Sequence, residues 1–268
     1  MPRSRWGVEL KALVFDLDDT LLNSAKEIGP RTRRALDQWL ASGREIVLAT
    51  SRPIRKVRAF LPAELYRSCE IITMNGAVHH SGGVRTYKAP GLGKEAREIA
   101  ERFPMGHPVH VTLEIDGEQF ASNYPSSDEE LLKWNAATPD LVLPLSAVDF
   151  EQVAKIALSR WGSHMHDLVP WLSGLDCDLI MAEGGTFINV VAPGVDKSTT
   201  LLRHFDGKGW GRADVAVFGD DLPDIRMMAL SDHAVAMANA KPEVMAAAHH
   251  VIGHCNEDAI GAYMERWL

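Results

Sequence analysis

Asp16, Asp18, Asp19 and Thr20 follow directly on the apolar run Leu13-Val14-Phe15. Carboxylates crowded at the end of a buried strand repel one another unless a cation or a shared proton offsets them. A bound divalent ion is the expected remedy. Ligands that are all hard oxygens favour magnesium, which takes one or two carboxylates together with waters and a substrate phosphate. A helix N-cap would also use Asp-Asp-Thr, so the rest of the chain has to separate the two readings.

The chemistry such a group could perform is phosphoryl transfer, which needs an in-line nucleophile, charge neutralisation and donors for the equatorial oxygens. Asp16 can attack phosphorus and form an aspartyl-phosphate. Asp18, two residues on, can protonate the leaving alcohol and later deprotonate water, a role for which its pKa is expected to be raised. The hydroxyl of Thr50 and the amides of the following Ser51-Arg52 turn can hold phosphoryl oxygens. Lys197, in Gly194-Val195-Asp196-Lys197-Ser198, can bridge nucleophile and phosphate, although a lone lysine at a helix start also fits a solvated surface. In Gly219-Asp220-Asp221-Leu222-Pro223-Asp224, Asp220 is the metal-ligand candidate, while Asp224 is also what a helix dipole favours in a first turn.

The elements that must bring these residues together are legible from periodicity. Pro30 opens a helical pattern with Ala35, Leu36, Trp39 and Leu40 on one face, closed at Ser42-Gly43. The strand Glu45 to Thr50 follows, giving a βαβ unit that sets Asp16 and Thr50 at one carboxyl edge of a parallel sheet. Val215 to Phe218 runs into Gly219-Asp220-Asp221 and then a helix, so a third strand end arrives at that edge. The middle of the chain reads differently. Asp116-Gly117 predicts a type I′ hairpin between strands 109–115 and 118–122. A second hairpin is expected around 183–185, with helices near 128–135 and 150–161. The fold expected is α/β, an open parallel-sheet Rossmann-like core of residues 1–83 and 186–268 with an inserted α+β cap domain at 84–185.

In order and spacing, Asp16-Leu17-Asp18-Asp19-Thr20, Thr50-Ser51-Arg52, Lys197 and Gly219-Asp220 to Asp224 resemble the four motifs of haloacid dehalogenase-superfamily phosphatases. The long insertion resembles the large cap of the Cof-like branch, which includes sucrose-phosphate and mannosyl-3-phosphoglycerate phosphatases. Asn75-Gly76-Ala77 and Ala234 to Ala240 are similar to that branch too. The resemblance implies that Asp16 is nucleophile and metal ligand, and that Asp18 is acid/base with its backbone carbonyl on Mg2+. It further implies that Thr50 and Lys197 hold phosphate, that Asp220 is a metal ligand, that Asp224 is a ligand or an acceptor behind the ligands, and that Asn75 and Asn239 lie near substrate. Ser51 stands where the family often has glycine, and Pro223 where it often has asparagine. Neither change removes a group the mechanism requires.

The chain has 268 residues, 46% hydrophobic, with a net charge of -8. An acidic balance argues against nucleic acid as partner. Cys69, Cys177 and Cys255 are few and far apart, which points away from a disulfide framework and towards a reducing, cytoplasmic setting. All three are expected in the core. Arg3 and Arg5 precede only a short, charge-broken apolar stretch, unlike a secretory leader, and no window approaches a membrane span. The expected partner is a small phosphorylated metabolite, such as a sugar phosphate or phosphoglycerate derivative, with no nucleic acid and no membrane, and with the chain as monomer or homodimer. His79-His80, His164 with His166, and His249-His250 with His254 read as surface or satisfied core residues, because adjacent strand histidines face opposite ways. Three other activities share part of this pattern: a phosphomutase, a phospho-acceptor switch and a dehalogenase. A receiver-type switch is about half as long and lacks an acid two residues after its acceptor; dehalogenation needs neither Asp18 nor a metal.

Overall fold

The structure is a computed structural model that describes residues 9–125, 127–160 and 163–268. Arg3, Arg5 and Trp161, the end of the helix expected over 150–161, lie outside those residues. The first segment lays down β1 (Ala12–Phe15), α1 (Pro30–Ala41), β2 (Glu45–Ala49), α2 (Ile54–Phe60), α3 (Ala63–Ser68), β3 (Glu70–Thr73), β4 (Val78–Ser81) and β5 (Val84–Lys88). The middle segment adds α4 (Gly93–Arg102), β6 (His110–Glu114), β7 (Phe120–Ser122), α5 (Glu129–Asn135), β8 (Val142–Leu143), β9 (Lys155–Ser159), α6 (Val169–Leu172), β10 (Asp178–Ala182) and β11 (Phe187–Val191). The last segment contributes α7 (Lys197–Lys208), β12 (Val215–Gly219), α8 (Ile225–Met228), β13 (His233–Ala236), α9 (Pro242–Ala247), β14 (His250–Val251) and α10 (Ala259–Met264).

Two sheets result. The larger runs β14-β13-β12-β1-β2-β3-β4-β5, parallel from β14 to β3 and antiparallel beyond. Its central strands are apolar on both faces, as a sheet covered on both sides requires. Leu13, Phe15, Ile46, Leu48 and Phe218 pack with Leu36, Trp39 and Ile260 on one side. Ala12, Val14, Val47, Val215 and Val217 meet Leu201 and Phe205 of α7 on the other. Burying these alternate rows on opposite faces fixes the register, because a one-residue slip would exchange the two sets. The smaller sheet, β10-β11-β9-β6-β7-β8, is antiparallel except between β7 and β8 and has its own apolar core around Val111, Leu113, Ile156, Leu158 and Ile188.

Several local expectations change. β5 belongs to the large sheet and β11 to the small one, so the sheets divide near residues 89 and 192, a few residues beyond the expected 84 and 185. The helix expected over 150–161 is a short 3-10 turn, Phe150–Gln152, followed by β9. Ile156 and Leu158 fit a strand once β6 and β11 flank it, so tertiary pairing overrides the helical spacing. The Asp116-Gly117 reversal takes three residues rather than two. The Ile115 amide donates to the Gln119 carbonyl at 3.1 Å, and Asp116 Oδ1 accepts from the amides of Glu118 and Gln119, both at 2.9 Å. Cys69 is buried, but Cys177 and Cys255 are only half-buried. No helix among the described residues is long and apolar enough to cross a membrane.

Candidate active site

β1, β2 and β12 are adjacent and parallel, so their carboxyl ends open on one edge. Asp16 follows the last residue of β1, Thr50 the last of β2, and Asp220 the last of β12. That edge is where a parallel α/β sheet places a ligand. Lys197, first residue of α7, reaches it from below: its Nζ donates to Asp16 Oδ1 at 2.5 Å and to Asp224 Oδ1 at 2.7 Å. The approach of α7 needs a glycine at position 76. Gly76 has φ +101°, and a Cβ there would fall 2.0 Å from the Asp196 carbonyl oxygen. The Gly76 carbonyl in turn accepts from Thr200 Oγ1 at 2.7 Å.

Asp224 is buried and doubly used. Its second oxygen accepts from the amides of Asp220 and Asp221, each at 3.1 Å, which folds the 219–224 turn around it. Gly219 permits this closeness, since a Cβ on it would lie 2.5 Å from Asp224 Cβ. Asp220 Oδ1 accepts from the Thr20 hydroxyl at 2.6 Å. Carboxylate oxygens of Asp16, Asp220 and Asp224 lie within 4.8 Å of one another.

Three acids against one lysine leave the cluster short of positive charge. Burial pushes the Asp16 carboxyl well above the usual carboxylate range against the pull of Lys197, and Asp224 and Asp220 push the same way. Burial likewise lifts Asp220 to about 7, with Asp224 adding to the effect and the Thr20 hydroxyl opposing it. Lys197 is pushed up: burial works against its charge, but Asp16 and Asp224 outweigh it. An all-oxygen set in which three acids face one lysine fits a hard divalent cation.

Asp18 departs from expectation. Its carboxylate lies apart from the three-acid cluster, gripped by Arg52 at both oxygens, at 2.6 and 2.7 Å, and by Lys26 at 2.9 Å. Its pKa is therefore lowered rather than raised: burial tends to raise it, but Arg52 and Lys26 together prevail. Arg52, expected to contribute to phosphate holding, spends its guanidinium on Asp18 and stacks over Phe60 at 4.7 Å. Thr50 is buried, with its Oγ1 accepting from the Arg52 amide at 3.1 Å. The Ser51 carbonyl accepts from Lys155 of β9 at 2.7 Å, which ties the insertion to the turn after β2.

Asn75 lies beside this turn, its amide donating to the Thr50 carbonyl at 3.0 Å. It is buried in the left-handed region at φ +57°, and its Nδ2 has no hydrogen-bond partner among the described residues. Asn239 spans two loops, donating to the Asp19 carbonyl at 2.7 Å and accepting from the Cys255 amide at 2.9 Å. Lys26, Thr20 and Lys155 also contact the site, with no role expected of them from the sequence. Only Thr20 carries a sequence signal, its place in the Asp-Asp-Thr run.

The family model for haloacid dehalogenase-like hydrolases matches residues 13–264. The chain belongs to this family. This hydrolase is 26% identical over 271 residues to an HMP-PP phosphatase of Cronobacter sakazakii, covering 95% of this chain and 94% of that protein. It is 24% identical over 278 residues to a pyridoxal phosphate phosphatase of Escherichia coli, covering 95% and 97%. Its fold matches that of a subclass IIB sugar phosphatase with a TM-score of 0.74 at 23% identity, covering 96% and 98%. The hydrolase therefore has an α/β core and an inserted cap of the same fold as that structure.

Proposed function

We propose that this hydrolase is a magnesium-dependent phosphatase of a small phosphorylated metabolite, working through an aspartyl-phosphate on Asp16. The observation that carries the reading is the charge-deficient cluster of Asp16, Asp220 and Asp224 around Lys197 at the sheet edge. Asp16, Asp220 and Asp224, with the Asp18 carbonyl, are the groups that would hold the ion. Once bound, it would neutralise charge on the phosphoryl oxygens.

An Asp16 oxygen attacks phosphorus. The bond from phosphorus to the leaving oxygen breaks, and Asp18 delivers a proton to that oxygen. Asp18 then takes a proton from water, the water oxygen attacks the phosphorus, and the bond to Asp16 breaks, releasing inorganic phosphate. For the first half Asp18 must acquire a proton, so its grip by Arg52 and Lys26 has to loosen as substrate enters. Thr50, the amides of Ser51 and Arg52, and Lys197 are placed to hold the equatorial oxygens. The unpartnered Nδ2 of Asn75 is a further donor beside them.

The insertion, close to residues 89–192, is the unit we assign to substrate selection, since Lys155 brings it against the catalytic turn. Sugar phosphates and phosphoglycerate derivatives are the first candidate substrates, joined by HMP-PP and pyridoxal phosphate because relatives act on them. The test is magnesium-dependent phosphate release from a panel of these compounds, run beside Asp16→Asn and Asp18→Asn proteins. Release that requires magnesium and disappears in both variants is the expected result. Isomerised product without phosphate release, or a long-lived label on Asp16, would replace the proposal with a mutase or an acceptor switch.

A further inference from the structure

At the opposite edge of the large sheet, where β2 and β3 begin, a second group of metal-ligating side chains gathers. Glu70 opens β3, His79 lies on β4, and His204 comes from α7. One donor atom from each lies within 4.8 Å of the other two. The β3–β4 register puts His79 opposite Ile72 and Ser81 opposite Glu70, so Glu70, Ile72, His79 and Ser81 share one face. Ile72 packs in the cluster that holds Leu201 and Phe205 of α7. His80, the neighbour that made His79-His80 look unpromising as a pair, turns to the other face and is not needed.

We propose that Glu70, His79 and His204 form a zinc site that ties α7 to the β3–β4 edge. Two imidazoles and one carboxylate are a donor set that zinc takes and magnesium does not favour. The Glu70 carboxylate is already held in place by its neighbours, with Oε2 2.9 Å from His79 Nε2 and Oε1 accepting from Ser81 Oγ at 2.7 Å. The independent observation is His204. Its side chain is 7% exposed, and its buried Nε2 has no hydrogen-bond partner among the described residues. An orphaned ring nitrogen among ligand atoms loses its hydration without compensation unless something binds it.

Tetrahedral zinc with bonds of about 2.0–2.1 Å sets its ligands roughly 3.4 Å apart, so the 2.9 Å Glu70–His79 contact must open slightly, within a group whose donor atoms already lie inside 4.8 Å. Glu45, at the start of β2, has Oε1 3.9 Å from His204 Nε2 and can supply the fourth position once it leaves Lys208; water is the alternative. The site would pin the helix whose first residue is Lys197.

The test strips the full chain with a chelator and titrates zinc in excess magnesium, reading bound zinc, thermal midpoint and, with cobalt, visible absorption. The expected result is one zinc per chain at submicromolar affinity, a raised midpoint and a tetrahedral cobalt spectrum. Binding should weaken at least tenfold in both H204Q and H79Q and persist in D220N. With two independent histidine variants, a folding failure in one leaves the other decisive, and circular dichroism reports which has folded. Zinc retained by both folded histidine variants, or abolished by D220N, would assign the binding to the acidic cluster and overturn the proposal, as would a parent that holds no zinc.

Discussion

Arg52 clasps Asp18 with two parallel hydrogen bonds, Nε to Oδ2 at 2.6 Å and Nη2 to Oδ1 at 2.7 Å. The two residues are thus a unit, and their removal should not add. Asp18→Asn is expected to lower turnover about 10²- to 10⁴-fold, the usual contribution of an acid/base group. Arg52→Ala should cost roughly tenfold. In the double variant, the rate should match Asp18→Asn alone. Single-turnover phosphate release in all four proteins measures this cycle; strictly multiplicative losses would mean that Arg52 acts on something other than Asp18.

Lys197 is the only cation bonded to Asp16 and Asp224 among the described residues. Lys197→Met should abolish turnover and destabilise the chain by about 3–5 kcal/mol, as when one partner of a buried ion pair is removed. Magnesium should then raise the urea midpoint more in the variant than in the parent, because the acids have lost their remaining counter-charge. Equal magnesium responses in the two proteins would contradict this account.

Arg55 of α2 reaches into the insertion. Its guanidinium pairs with Glu114 of β6 through two bonds of 2.7 Å, donates to the Asn135 carbonyl at 2.9 Å and lies over Phe120 at 4.3 Å. Both charges are almost fully buried. Glu114→Gln should cost about 3 kcal/mol in urea unfolding. Arg55→Lys should not recover the parent's stability, since an ammonium cannot make the planar fork. A lysine variant as stable as the parent would show that charge alone suffices.

His80 is buried, its Nε2 has no hydrogen-bond partner among the described residues, and burial, helped by His79, pushes its pKa from 6.5 down to about 4. The unfolded chain therefore binds the extra proton first as pH falls. Stability from this residue is complete above pH 6.5 and is lost as pH drops towards 4, by about 2–3 kcal/mol. His80→Phe should flatten the pH dependence of the urea midpoint across that window and leave it unaltered above pH 7. An unchanged slope would place the proton elsewhere.

The strand-end positions of Asp16, Thr50 and Asp220 are legible in the sequence because each closes an apolar run, and runs of that kind define parallel strands on their own. Lys197 is legible only through its motif, since a lysine at a helix start is ordinary. The state of Asp18 is not legible. Its neighbours Arg52 and Lys26 are brought to it by the fold, and nothing in their spacing says which carboxylate they will choose. The same holds for Arg55 with Glu114 and for His79 with His204, pairings of distant segments with no local pattern. β9 misleads for a related reason: the sheet that makes Lys155–Ser159 a strand is assembled from elements on either side of it in the chain.

β1 lies between β2 and β12, and the bonds that complete the site join residues 181 and 200 positions apart. On the ribosome, the N-terminal half can therefore pair β1 with β2 long before β12 exists. During that interval β1 has one side unpaired, an apolar edge of the kind that invites mispairing with other chains. A truncated product that ends before α7 would keep Asp16 and Thr50 but have neither Lys197 nor Asp220. Hydrolysis thus awaits nearly complete synthesis, and the loop closures needed to reach it predict slow folding.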